Sequence, residues 1–164
     1  MGRVAFYTFG ILRAEYGDER VQAFVDRTPG VFDAAAATPG HLETYSGVID
    51  STTFGPRFFV PGTHQRAAQT LSLWTDLTSV RAFAYRGLHA EALRLRREWF
   101  VPPEWPSYAI WWVADDEIPS WTEAPQRLEH LHDRGPTPYA FDFRTPFDEN
   151  GQRIRLTSSP QPST

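Results

Sequence analysis

Three side chains in the middle of the chain, Tyr85, His89 and Arg96, have types and spacings that suit acid–base chemistry. On a helix over 79–99, a turn of about 100° per residue places Tyr85 and His89 one above the other, with Arg96 near the same line. The strip borders a core face made by Val80, Ala84, Gly87, Leu88 and Leu95. A phenol, an imidazole and a guanidinium in line would orient an oxygenated aromatic molecule and move a proton near neutral pH. The plainer alternative is a solvated flank on which His89 bonds to backbone. Arg94 and Arg97 suit the C-terminal dipole of the helix better than a ligand.

Aromatic residues are the second signal. They form 15% of the chain, with six Trp and twelve Phe. Trp111 and Trp112 lie in a strand whose two faces are both apolar, so they pack in a core or an interface, or one ring stacks on a ligand. Residues 50–65 mix Ser, Thr, Gly and Pro with Phe54, Phe58 and Phe59, which suits a pocket lid or a dimer-contact arm. His41 and His64 sit at loop edges, from which either can enter a pocket closed by Phe58 and Phe59. Tyr45 and Tyr7 are supporting donors. The expected substrate-binding set is therefore Trp111, Trp112, Phe58, Phe59, Tyr45 and His41.

Other chemistries are excluded by what is missing. Without Cys there are no disulfides, thiolate nucleophiles or sulfur-ligated metals from this chain, and without Lys there is no Schiff base. His130 and His132 are two apart, about 200° around a helix, and do not converge on one ion. Asp115, Asp116 and Glu117 solvate a turn, so no metal site is expected. A net charge of -4 does not advertise nucleic-acid binding, and no apolar run approaches a membrane span. The N-terminal residues lead straight into a strand pattern without the features of a secretory signal, so a cytoplasmic address is expected.

The elements that position these residues follow from periodicity. Val4–Leu12 reads as a strand. Asp18 caps a helix with Val21, Phe24 and Val25 on its apolar face, broken or kinked at Thr28-Pro29, where a second cap is expected, and resuming to Ala37. Leu42–Ile49, Ala67–Trp74 and Tyr108–Val113 read as strands, and Ser79–Trp99 as one long helix. Ser120 and Glu123 form a capping box before a last helix with Trp121, Ala124, Leu128 and Leu131 on one stripe, ended at Gly135-Pro136. Tyr139–Phe147 is an extended segment docking on the body. The expected fold is α+β, a ferredoxin-like βαββαβ antiparallel sheet with two helices on one face. One domain spans residues 1–150, and a flexible tail spans 151–164. The apolar second sheet face needs cover, which a face-to-face homodimer supplies.

The stretch from Trp74 to Phe100, then Trp111-Trp112, Arg127-Leu128, Gly135-Pro136-Thr137-Pro138 and Phe141-Asp142-Phe143, resembles DUF3291, a family of uncharacterised bacterial proteins in the dimeric α+β barrel superfamily. Thr28-Pro29 and His41-Leu42-Glu43-Thr44 depart from the family pattern. The superfamily includes cofactor-free quinol monooxygenases, haem-degrading enzymes and aldoxime dehydratases. The resemblance implies the fold more firmly than a function. The function expected is a small-molecule enzyme of secondary metabolism, acting on an oxygenated aromatic or polyketide-like substrate without a cofactor, as a monooxygenase or as a cyclase or isomerase. In some superfamily members a histidine on the corresponding helix ligates haem, which makes a haem enzyme with His89 as ligand the sharper variant. A non-catalytic ligand-binding protein is the competing class.

Overall fold

Strict alternation in the first strand divides the molecule into two layers. The computed structural model describes residues 2–45, 55–58, 64–86 and 94–156. Strand β1 (Arg3–Ile11) turns Val4 and Phe6 to one face and Ala5, Tyr7, Phe9 and Ile11 to the other. Strands β3 (Ala67–Trp74) and β4 (Tyr108–Val113) flank it antiparallel, and β2 (His41–Thr44) adds to β3, giving the order β2-β3-β1-β4. The register sets Thr8 opposite both Thr70 and Tyr108, and Phe6 opposite both Ser72 and Ile110. With helices α1 (Glu19–Ala37) and α2 (Leu77–Tyr85) in the two crossovers, this is the ferredoxin-like α+β fold expected from the order of elements.

Helix α1 starts at Asp18, whose carboxylate accepts from the Arg20 N–H at 2.9 Å. It then runs unbroken through Pro29, contrary to the expected break. Thr28 is no cap; its hydroxyl donates to the Phe24 carbonyl one turn back, at 3.0 Å. Burial of Val21 before the proline, against Leu12, Ala14 and Trp99, and of Ala35 after it, in the cluster with Val4, Phe6 and Trp74, anchors both halves and outweighs the local cost of Pro29.

The long helix expected over 79–99 is interrupted. Helix α2 ends at Tyr85, and Arg86 is extended at φ -129° and ψ 153°. Helical backbone is present again at residues 94–99 (α3). Gly87, a poor helix former, follows Arg86 and weakens any continuation. The α2 start is firm, because Asp76 accepts from the Ser79 N–H at 2.8 Å. Gly40, at φ 93°, packs so closely that a Cβ there would lie 2.1 Å from Ser79 Oγ. Asp76→Ala is expected to cost about 1 kcal/mol, read as a lower urea midpoint with an unchanged slope.

The second sheet face is covered by the chain itself. Helix α4 (Glu123–Arg134) lays Ala124, Leu128 and Leu131 over Tyr7 and Trp111, and Trp121 packs at its start. Leu71, Tyr7 and Trp111 are each fully buried within a single chain. The need for cover that pointed to a face-to-face partner is therefore met internally, because the amphipathic stripe of α4 does the burying. The capping box is half formed. Ser120 Oγ accepts from the Glu123 N–H at 3.1 Å, but the Glu123 carboxylate turns to Arg127.

After α4 the chain rounds the β4 edge. Ile110 and Phe141 exchange two backbone hydrogen bonds of 2.9 Å, and Phe141 is fully buried. Packing continues past the expected start of the tail. Arg153 bridges to Phe147, the Ile154 N–H donates to the Pro146 carbonyl at 3.0 Å, and Ile154 and Leu156 pack against the α2 side of the core. Two apolar side chains among polar neighbours are enough to dock this strap.

Candidate functional site

A cavity of about 440 Å³ lies between the α1–α2 face of the sheet and its helices. Its size is that of a small-molecule site. The floor is the inward face of the strands: Phe6, Thr8 and Gly10 from β1, Ala68, Thr70 and Ser72 from β3, and Tyr108 from β4. Helix α1 supplies Phe24, Arg27, Val31 and Phe32 at helical spacing, α2 supplies Phe83 and Tyr85, and Arg96, Trp99 and Phe100 come from α3 and its end. The strap closes one side with Phe143. Gly10 matters because a Cβ there would lie 2.6 Å from the Phe100 ring, so the absence of a side chain lets that ring reach the floor.

Polar groups converge at three places on this aromatic wall. Thr8 and Thr70, paired in the register, hydrogen-bond through their hydroxyls on the floor. Tyr108 accepts from the Phe143 N–H at 3.2 Å, and Tyr85 lines the same wall. Burial, chiefly, pushes the Tyr108 phenol well above the ordinary phenol range, so it stays protonated and serves as a hydrogen-bond group rather than a base. Arg96 reaches Ser107 Oγ at 3.3 Å, and burial lowers its pKa from the usual guanidinium value while leaving it charged. Ser107 is held in place by its carbonyl, which accepts from the Phe9 N–H at 2.9 Å.

Of the residues expected to do chemistry, Tyr85 and Arg96 both line this cavity, although they do so from separate helical pieces. His89 and Phe59 lie outside the described residues. The expected binding residues are elsewhere. Trp111 is core under α4, with the Arg127 guanidinium 5.4 Å from its ring centroid. Phe58 stacks on Trp105 at 5.4 Å on that same side, and Tyr45 packs there too. Trp112 donates from Nε1 to the Phe147 carbonyl at 2.8 Å and so pins the strap. His41 stands edge-on to Trp74 at 5.0 Å, with Nε2 2.8 Å from Thr44 Oγ1. His130 and His132 have separate partners, Thr137 and Asp133, and no metal-binding cluster occurs among the described residues. Among those residues no helix is long and apolar enough to cross a membrane.

The residues missed from sequence are the hydroxyls Thr8, Thr70 and Ser107, Tyr108 and the α1 wall. A signal existed for the wall, since Phe24, Thr28, Val31 and Ala35 recur at helical spacing. The expected break at Pro29 hid it.

His41 adds a pH dependence. Burial, partly opposed by Glu43, lowers its pKa below the ordinary 6.5. The folded state then binds the proton less readily than the unfolded chain. Stability is fullest above pH 6.5 and falls as the pH drops from there toward the lower folded value. Thermal melts between pH 7.5 and 5 should show this loss, and His41→Gln should flatten it.

A family model described as a domain of unknown function, DUF3291, matches residues 3–157. No curated protein of known function matches the chain. Among solved structures, the NE2512 protein of unknown function from Nitrosomonas europaea is similar at a TM-score of 0.48 and 12% identity, over 73% of this chain and 97% of that one. SnoaB, a cofactor-independent oxygenase from Streptomyces nogalater, is similar at 0.47 and 12%, over 73% and 100%. A conserved protein from Methanosarcina mazei Go1 is similar at 0.46 and 14%, over 69% and 92%.

Proposed function

Since the chain belongs to the DUF3291 family, whose description names no activity, we propose its function from the cavity: it binds a flat, oxygenated aromatic or polyketide-like molecule and acts on it as a cofactor-free, monooxygenase-like enzyme. The observation that carries this reading is the half-buried Arg96 on the wall of an aromatic cavity that two phenols, Tyr85 and Tyr108, also line. Rings pack a planar body, and a guanidinium in a low-dielectric wall stabilises negative charge that develops on the ligand's oxygen. In this reading His89 removes the proton. The substrate is an aryl CH₂ activated by a conjugated carbonyl, and its carbanion reacts directly with dioxygen. One oxygen atom becomes the new carbonyl and the other leaves as water.

A second reading has its own support. None of the described residues lining the cavity is His, Asp or Glu, and Tyr108 is held protonated. A ligand-binding protein without catalysis fits that wall. Dioxygen uptake with a hydroxylated anthrone separates the two readings. The enzyme reading expects one dioxygen consumed per quinone formed, lost in His89→Ala with the fold intact. Saturable binding without oxygen uptake by the native protein would sink it and leave the binding protein. A homodimer is part of this reading, and sedimentation of the full chain tests it.

A further inference from the structure

The charges on the cavity wall are one-sided. Two guanidiniums line it, those of Arg96 and Arg27, and no carboxylate does among the described residues. The protein as a whole carries -4, so its long-range field does not attract anions and this local excess of positive charge works against the overall balance. Arg27 is held by its own helix, with Nη1 donating to the Ala23 carbonyl at 3.0 Å and the guanidinium 5.3 Å from the Trp99 ring centroid. Arg96 is less committed. Its contact with Ser107 is long at 3.3 Å, and no carboxylate pairs with it among the described residues. A guanidinium has five N–H donors in a planar fork, and among the described residues that of Arg96 donates to Ser107, which leaves donors for a ligand in the cavity.

We propose that the cavity takes its ligand as a flat monoanionic acid, an aryl carboxylate gripped by Arg96 with Ser107 alongside. This deepens the reading of the cavity as a small-molecule site and rests on it. A carboxylate satisfies the fork with two parallel hydrogen bonds, and Ser107 Oγ is placed to add a third. The body of such an acid is an aromatic ring system, matched by Phe24, Phe83, Trp99 and Phe100. A phosphate ester fits less well. A dianion needs more donors than one guanidinium and one hydroxyl supply, and its desolvation beside so many rings goes uncompensated. Tyr85, Tyr108 and the Thr8–Thr70 pair are left for the oxygens of the ring system, and with Arg96 on the carboxylate it is these hydroxyls that hydrogen-bond the charge developing there in the enzyme reading.

Trp99 lines the cavity, so quenching of tryptophan fluorescence reports occupancy. Three probes of one shape are titrated into the full chain: 2-naphthoate, 2-naphthamide and 2-naphthyl phosphate. The expected result is that naphthoate binds roughly tenfold to a hundredfold more tightly than the amide, with the phosphate no tighter than the carboxylate. In Arg96→Gln the carboxylate preference should collapse to near parity. Equal binding of carboxylate and amide by the native protein would overturn the inference and leave the small-molecule site standing. Tighter binding of the phosphate would overturn it in favour of a phosphoester ligand. No saturable binding by any probe would overturn the cavity reading itself, and the inference with it. The comparison among probes needs no variant, so a poorly folding Arg96→Gln does not remove the test.

Discussion

Trp111→Ala is expected to lower folding stability by about 3–5 kcal/mol, the range for deleting a large buried aromatic side chain. Trp111 is fully buried in the core cluster that includes Tyr7, Leu71 and Leu128. The substitution leaves an indole-sized void between sheet and α4 that these neighbours cannot fill without moving the helix. A domain with stability in the usual range of about 5–15 kcal/mol loses much of its reserve. Urea titration reads the loss. Naphthoate binding measured below the melting range should be unchanged, because the ring lies on the sheet face opposite the cavity. A selective loss of binding with stability retained would instead place Trp111 at the ligand. Trp111→Phe should cost less, since it leaves a smaller void.

The second large effect is at Gly10. A Cβ at this position would sit 2.6 Å from the Phe100 ring, closer than real contacts allow. Gly10→Val must push that ring off the floor and into the space a ligand would use. Overpacking of this kind costs about 1–3 kcal/mol. Displacing the ring should also weaken naphthoate binding by roughly tenfold or more, the equivalent of about 1.4 kcal/mol. The signature is a binding loss larger than the stability loss predicts, measured by fluorescence titration beside a thermal melt. Valine suits this position on β-propensity alone, so a loss of stability isolates the close approach of Phe100 as the cause.

Much of the fold was legible because strand alternation and helical spacing carry it directly. Ala67–Trp74 and Tyr108–Val113 stand where their patterns put them, and the stripe of Ala124, Leu128 and Leu131 faces the core. Periodicity identifies an apolar face without identifying what covers it. The apolar second face of the sheet was legible in this way, and its cover by α4 within the chain was not. Pro29 misled for a related reason, since the local cost of a proline is visible in sequence and the tertiary packing of Val21 and Ala35 that outweighs it is not.

The site was less legible than the fold. Tyr85 and Arg96 do reach one cavity, but the helix expected to align them stops at Tyr85. Thr8, Thr70 and Tyr108 are brought side by side by the pairing register across three strands, and no spacing within one segment encodes that. Trp111 and Trp112 attracted attention by size. Size alone does not tell a core ring from a ligand platform, and the side of the sheet does.

The order in which the strands are made has a consequence for biosynthesis. β1 is a central strand, yet both of its neighbours, β3 and β4, come later in the chain. On the ribosome the first strand waits with both hydrogen-bonding edges open until Trp74 has left the exit tunnel, and with one edge open until Val113 has followed. Sheet closure is therefore a late event built on contacts distant in sequence, and these close slowly. Phe143, which completes the cavity wall, emerges later still. A nascent chain can thus bury its first residues well before it can hold a ligand.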